Sequence, residues 1–140
     1  MKDSKINSYS ETQMSDAYGF HLMLDCYQCD PEKLNNIDAC YSFLDMLVDK
    51  IGMHKQTQPY VFRTPDSFKG QQGLSGWVPI VESGISIHTL TETEFVSLDI
   101  YSCRRFDIQK IISFTQQFFN PGEIETNFVL RGQKYSRETE

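Results

Sequence analysis

The sequence lacks an apolar run of the roughly 18 residues that a membrane-spanning helix needs. Its polar N-terminus, MKDSKINSYSETQMSD, also lacks the apolar block of a secretory signal peptide. Basic residues are in the minority, 13 against 19 acidic ones, and the net charge of −6 argues against a nucleic-acid binder, whose contact face is basic. We therefore expect a cytoplasmic protein with neither membrane nor nucleic-acid partners.

Motifs for metal binding are also scarce. Cys26 and Cys29 form a CxxC pair among four cysteines, but no second CxxC and no HxxxH follows. A strand through this pair would point its two thiols to opposite faces of a sheet. In a reducing compartment we expect thiols with structural roles here, rather than the alternative of a redox pair or a metal site.

The length and composition predict one domain with a core of its own, since 39% of the 140 residues are hydrophobic. Residues 1–16 are polar and show no periodicity, which predicts a flexible leader. The patterned segments fall within residues 17–132, the expected domain, and residues 133–140 form a charged tail.

The hydrophobic periodicity predicts two helices among about six strands. Asp30 is placed to cap a helix that has Pro31 at its first position and ends near Gly52. A second helix is expected over residues 107–119. The expected strands are 18–27, 56–63, 74–82, 85–90, 95–101 and 125–130. This order predicts an α+β fold, a two-layer sandwich in which both helices cover one face of an antiparallel sheet.

The segment from Gly73 to Cys103 concentrates groups that carbonyl chemistry uses, namely Ser75, Ser83, His88 and Cys103. Alternation in the strand 85–90 places His88 on the face opposite Ile85 and Ile87. Spacing alone favours ordinary roles, because no GxSxG elbow occurs and a single cysteine after an apolar strand usually acts as a small hydrophobe.

Several short motifs occur at fixed spacing along the chain. They are Phe20-His21-Leu22, Cys29-Asp30, Gly73-Leu74-Ser75-Gly76, Val81-Glu82-Ser83, Ile87-His88-Thr89, Glu92, Leu98-Asp99-Ile100 and Cys103. Together they resemble the motifs of the pyruvoyl-dependent S-adenosylmethionine decarboxylases of the short prokaryotic type. The resemblance is densest between Gly73 and Cys103, and it extends over about residues 18–130 in the order of elements.

The resemblance implies that the chain cleaves itself between Glu82 and Ser83. The Ser83 hydroxyl attacks the Glu82 carbonyl and forms an ester, with Ser75 as the donor to the oxyanion. His88 then removes the α-proton at position 83, and elimination followed by hydrolysis leaves a pyruvoyl group, the covalent cofactor. The products are a chain of residues 1–82 and a second chain that begins with the pyruvoyl group.

The same resemblance implies the roles of the remaining site residues. The pyruvoyl ketone forms a Schiff base with the amino group of the substrate, and Cys103 returns a proton after CO₂ is lost. Glu92 is expected to hold the ribose, although a solvated strand-end acid is the alternative. Phe68 and Phe20 are the candidates to stack on adenine. Relatives of this type are expected to form homodimers with the site where protomers meet.

The expected function is conversion of S-adenosylmethionine to its decarboxylated form, the aminopropyl donor for spermidine synthesis in the polyamine pathway. Two alternatives remain open from the sequence. One keeps the pyruvoyl chemistry with another amino acid, ornithine or arginine, as substrate. The other is a relative that never cleaves itself and acts as a binding partner.

Overall fold

The computed structural model describes residues 5–6 and 9–135 of the chain. Within these residues the chain forms seven strands and four helices. In order they are β1 (Lys5–Ile6), α1 (Glu11–Asp16), β2 (Gly19–Tyr27), α2 (Pro31–Leu34), α3 (Ile37–Lys50), β3 (Tyr60–Arg63), β4 (Leu74–Ile80), β5 (Ser83–Leu90), β6 (Phe95–Ser102), α4 (Ile108–Phe119) and β7 (Glu123–Arg131).

The strands form one sheet in the order β1-β7-β2-β6-β5-β4-β3. All neighbouring pairs from β7 to β3 are antiparallel, and only the two-residue β1 joins β7 in parallel. The predicted α+β sandwich is therefore confirmed. Pro59 directly precedes β3, the edge strand, where the missing N–H of proline costs no ladder hydrogen bond.

The core lies between the sheet and the helices α3 and α4. Alternate side chains of each central strand are buried against these helices, as the two-residue period of a strand requires. Phe43 of α3 is fully buried and stacks on Phe114 of α4 at a centroid distance of 5.1 Å. The aromatic contacts between the two helices therefore close the core on the side away from the sheet.

The other face of the sheet has no helix over it in the described part of the chain. Its side chains are half-buried or exposed, in phase with the alternation on each strand. Near the edge strand, Tyr60, Phe62 and Trp77 are 45%, 65% and 52% exposed, and Tyr60 stacks between the other two rings. We call this surface the open face.

The single helix predicted from Pro31 to Gly52 is wrong, because the structure has two helices there. Asp30 caps α2 as expected, by accepting a hydrogen bond from the N–H of Glu32. The side chain of Asn36 then accepts a hydrogen bond from the N–H of Ala39 and caps α3. The apolar spacing continues across the break, which is why periodicity alone misses the two asparagines between the helices.

The N-terminal segment 1–16, expected to be a flexible leader, contains α1 in its second half. Ser10 and Gln13 form a capping box, in which each side chain accepts a hydrogen bond from the backbone N–H of the other residue. Six residues are too few for periodicity to reveal a helix. Of the expected tail, residues 136–140 lie outside the described residues.

Candidate active site

Two groups of predicted site residues lie at opposite ends of β5. The first, which we call the Ser83 cluster, consists of Phe20, Glu82, Ser83 and Cys103. Ser83 opens β5 and pairs with Ser102 of β6, which in turn pairs with Phe20 of β2. Cys103 follows Ser102 directly, and it shares a shallow cavity of about 330 Å³ with Phe20. The sheet register therefore brings this cluster together.

The backbone of Ser83 is in an unusual conformation, with φ at +153°. A non-glycine residue in this region stores strain of about 1–3 kcal/mol, which persists only where the surroundings hold it. The carbonyl oxygen of Glu82, one bond upstream, accepts a hydrogen bond of 2.9 Å from the N–H of Cys103. A strained peptide with a polarised carbonyl is a suitable target for the neighbouring hydroxyl.

The side chain of Glu82 is only 4% exposed and is held by a residue that the sequence analysis missed. One carboxylate oxygen accepts the backbone N–H of His54 at 3.1 Å, and the other lies 2.7 Å from His54 Nδ1. Burial raises the pKa of Glu82, but the hydrogen bonds from His54 outweigh it, so the pKa lies below its ordinary value. His54 stands 28 residues upstream, and no local pattern signals the contact.

The second group, which we call the His88 cluster, consists of Phe68, Ser75, His88 and Glu92. Ser75 of β4 and His88 of β5 are direct cross-strand partners on the open face. Ser75 Oγ lies 3.0 Å from His88 Nδ1, within hydrogen-bond distance. This pair is exposed to solvent on the Ser75 side and half-buried on the His88 side.

Gly73 permits the register that sets Ser75 opposite His88. Its φ is +154°, and a Cβ at this position would collide with the carbonyl of Thr89. Only glycine allows β4 to begin so close to β5 with this backbone. The Gly-x-Ser-Gly motif therefore has a structural reason at its first position.

Glu92 and Phe68 lie at the same end of the sheet as His88. Glu92 is exposed in the turn between β5 and β6, and Phe68 is 57% exposed in the loop before β4. Hydrogen bonds through Gln72 connect the two segments, because its carbonyl accepts the N–H of Thr91 and its amide donates to the carbonyl of Phe68. Neither residue belongs to the Ser83 cluster.

Within one chain, the structure does not bring the two clusters together. Ser83 and His88 lie five positions apart on the extended strand β5, a distance of about 16 Å. The two residues also have opposite phase on β5, so His88 projects on the open face whereas Ser83 is in phase with the buried Ile85. Ser75 contacts His88 and not the Glu82 carbonyl. Within this chain the two clusters are therefore separate groups of residues.

The CxxC pair differs in one respect from the sequence prediction. Cys26 ends the buried side of β2, and Gln28, with φ at +57°, turns the chain so that Cys29 comes back toward it. The two buried thiols then share a hydrogen bond, which raises the pKa of Cys26 and lowers that of Cys29. The expectation that they point to opposite faces is wrong, because Cys29 lies beyond the strand.

Residues 5–6 and 9–135 lack two further features, a metal-binding cluster and a membrane-spanning helix. No cluster of three or more His, Cys, Asp or Glu side chains there has the arrangement of a metal site. No helix in the same residues has the length and apolar character needed to cross a membrane.

Comparison with known proteins gives one consistent result. A family model described as S-adenosylmethionine decarboxylase matches residues 20–132. An S-adenosylmethionine decarboxylase proenzyme of Clostridium botulinum strain Langeland is 28% identical over 116 residues, 82% of this chain and 95% of that protein. The proenzyme of Thermococcus kodakarensis is 30% identical over 123 residues, 86% of this chain and 81% of that protein.

The fold is similar to that of a solved enzyme structure. The crystal structure of the adenosylmethionine decarboxylase from Aquifex aeolicus aligns with a TM-score of 0.70. The alignment covers 83% of this chain and 92% of the other, at 24% sequence identity. At this identity the likeness supports the fold, and the sequence relatives support the family.

Proposed function

This chain belongs to the S-adenosylmethionine decarboxylase family, and we propose that it is made as a precursor that cleaves its own Glu82–Ser83 bond. It is an enzyme, and its activity is the decarboxylation of S-adenosylmethionine. In our proposal the product serves as the aminopropyl donor for spermidine synthesis. The observation that carries the proposal is the strained Ser83 backbone beside a Glu82 carbonyl bound to the Cys103 N–H.

The first step converts the peptide bond into an ester. The Ser83 oxygen forms a bond to the Glu82 carbonyl carbon, the C–N bond breaks, and the hydroxyl proton passes to the released nitrogen. The strain at Ser83 lowers the cost of breaking the amide. The Cys103 N–H already points at the Glu82 oxygen and would stabilise the negative charge that develops there.

The second step breaks the ester by elimination. A base removes the α-proton at position 83, the bond to the serine oxygen breaks, and Glu82 leaves as a carboxylate. Water then releases ammonia from the dehydroalanine and leaves the pyruvoyl carbonyl at position 83. The base must lie within hydrogen-bond reach of that proton, and His88 of the same chain is about 16 Å away along β5.

We therefore propose that the active unit is a homodimer in which each Ser83 cluster faces the His88 cluster of a second copy. The open face supports this arrangement, because Tyr60, Phe62 and Trp77 line an exposed apolar groove of about 310 Å³ beside Ser75. Exposed aromatic groups of this size are typical of surfaces that contact another protein. Pairing two open faces would bury these three aromatic side chains.

Residues of both clusters then act on the substrate. The pyruvoyl carbonyl supplies the electron sink for loss of CO₂, as an electrophilic cofactor does. Cys103 is half-buried and lines the same cavity as Phe20, and in this proposal its thiol would return a proton to the substrate carbon. Glu92 would accept hydrogen bonds from ribose hydroxyls, and Phe68 or Phe20 would stack on adenine.

Denaturing mass spectrometry of the purified chain tests this proposal. We expect two fragments, residues 1–82 and 83–140, with a ketone in place of the amine at the start of the second. Ser83→Ala is the matched control and should remain one chain without activity. A wild-type chain that stays intact at 16.3 kDa would contradict the proposal. Release of CO₂ from S-adenosylmethionine, with ornithine and arginine as comparison substrates, then measures the activity.

A further inference from the structure

We propose that His54 is a positioning residue for self-cleavage, which holds the Glu82 side chain and thereby the bond between Glu82 and Ser83. The inference rests on the proposed cleavage at this bond. It concerns a residue outside the motifs of the sequence analysis, on the segment that follows α3.

The side chain of Glu82 has its close contacts with a single residue. Both carboxylate oxygens are bound by the same residue, through the His54 N–H at 3.1 Å and Nδ1 at 2.7 Å. The Glu82 side chain is 4% exposed, whereas that of His54 is 65% exposed. The imidazole thus covers the buried carboxylate and gives it a close hydrogen-bond partner.

The backbone of His54 is itself anchored to the strand that leads to the cleavage bond. Its carbonyl accepts the N–H of Val81 at 2.8 Å, and the N–H of Gln56 donates to the carbonyl of Pro79 at 3.0 Å. Lys55 forms a β-bridge with Ile80 between these two bonds. The segment 54–56 therefore runs as a short ribbon beside the end of β4, which fixes the backbone of His54 next to Glu82.

These contacts hold Glu82 from two directions. His54 holds its side chain, and the N–H of Cys103 holds its carbonyl from β6. Strain at Ser83 lasts only while the neighbouring atoms are fixed, so release of the Glu82 side chain would let the backbone relax. The imidazole also offsets the negative charge of a carboxylate that lies on the same residue as the developing oxyanion.

In the described residues, Arg104 is the other basic residue whose side chain lies near the Glu82 carboxylate. Its guanidinium nitrogen is 3.8 Å from the carboxylate, beyond hydrogen-bond distance, and its side chain is 61% exposed. An exposed pair of this kind contributes little. We therefore assign the positioning role to His54 rather than to Arg104.

The experiment follows the cleavage of full-length chains made by cell-free synthesis, with samples taken over time and analysed by mass spectrometry. We expect His54→Ala to slow cleavage about tenfold or more, since small displacements of reacting groups have effects of this size. His54→Asn keeps a donor near the position of Nδ1 and should cleave within about threefold of wild type. The control Lys55→Ala removes the neighbouring ion pair with Asp45 and should cleave at the wild-type rate.

A second readout separates positioning from a general loss of structure. His54→Ala chains that have finished cleavage should decarboxylate with a kcat within about threefold of wild type, because the bond that His54 positions no longer exists. Three results would overturn the inference and leave the proposed function standing. They are a wild-type rate of cleavage in His54→Ala, an equal slowing in Lys55→Ala, or a fall in the kcat of cleaved His54→Ala that parallels its slower cleavage. A wild-type chain that never cleaves would overturn the proposed function and this inference with it.

Discussion

Cys103 contributes two different groups to the site. Its backbone N–H contacts the Glu82 carbonyl at 2.9 Å, and its thiol lies half-buried in the cavity that it shares with Phe20. In the proposed mechanism the N–H would stabilise the oxyanion during self-cleavage, and the thiol would later protonate the substrate. The two proposed roles use different atoms of Cys103, so a mutation can separate them.

Replacement of Cys103 by alanine should leave cleavage intact and reduce decarboxylation. The backbone N–H is kept in this variant, while the proton donor is removed, and loss of such a donor lowers rates by about 10²–10⁴-fold. The measurement is kcat per cleaved chain, with cleavage quantified by mass spectrometry. Serine at position 103 is the size-matched comparison. Loss of cleavage in Cys103→Ala would mean that the thiol itself takes part in processing.

Glu82 should make stability depend on pH before cleavage. Because its pKa in the folded chain lies below the ordinary 4.5, the carboxylate favours the folded state above that pH. The contribution is lost as pH falls below 4.5 and through the lower folded value. We expect uncleaved Ser83→Ala to exceed Ser83→Ala/Glu82→Gln in free energy of unfolding at pH 6, with the difference shrinking toward pH 3. Urea titrations across this range check it; a constant difference would argue against the His54 contact.

At the scale of elements, the β4–β5 hairpin decides which residues meet. Its register puts Ser75 opposite His88 at one end and Ile80 opposite Ser83 at the other, so one hairpin carries residues of both clusters. Gly73 allows the close start of β4, and the short turn at Val81–Glu82 ends the hairpin at the cleavage bond. The bond proposed to cleave thus lies where the chain reverses between β4 and β5, next to strained backbone.

The helix layer holds this hairpin through the packing of α3. Phe43 is fully buried between three aromatic side chains of α4, so Phe43→Ala should lower the free energy of unfolding by about 3–5 kcal/mol. Met46 on the same helix is 41% exposed, and Met46→Ala should change the free energy of unfolding by less than about 1 kcal/mol. Urea unfolding in the Ser83→Ala background measures both. Equal effects would show that α3 does not pack as described.

At the scale of the whole molecule, one chain contains every predicted catalytic residue but keeps them in two separate clusters. The Ser83 cluster and the His88 cluster lie at opposite ends of β5, and the apolar open face offers a surface on which two copies can pair. A twofold dimer repeats each contact, so it would complete two sites at once. The proposed homodimer follows from the separation of the clusters as much as from the exposed aromatic groups.

Co-production of two inactive variants tests this composite site. Ser83→Ala chains lack the hydroxyl that attacks the Glu82 carbonyl, and His88→Ala chains lack the proposed base. Neither variant should therefore mature when it is produced alone. In a mixed dimer, Ser83 of the His88→Ala chain meets His88 of the other chain. With random pairing of equal amounts, about half of the His88→Ala chains should be cleaved. Mass spectrometry distinguishes the chains, and absence of cleavage in the mixture would place the site within one protomer.

The features of this protein that depend on short-range patterns could be predicted from the sequence. Strand alternation located His88 on the open face, Asp30 capped α2, and the fold class followed from the order of elements. These features depend on neighbours within a few residues. The break between α2 and α3 was missed because the apolar spacing continues across Asn36, whose side chain competes locally for the backbone.

What only the tertiary structure decided are the distances between segments far apart in the chain. His54 contacts Glu82 across 28 residues, and no local pattern could reveal it. Conversely, Ser83 and His88 are only five residues apart in sequence, yet an extended strand separates them by about 16 Å. The Gly73–Cys103 motifs predicted which residues carry the chemistry, because that prediction depends on residue type and spacing. Which of them meet depends on sheet register and packing, and within one chain these keep the base apart from the bond that it is proposed to help break.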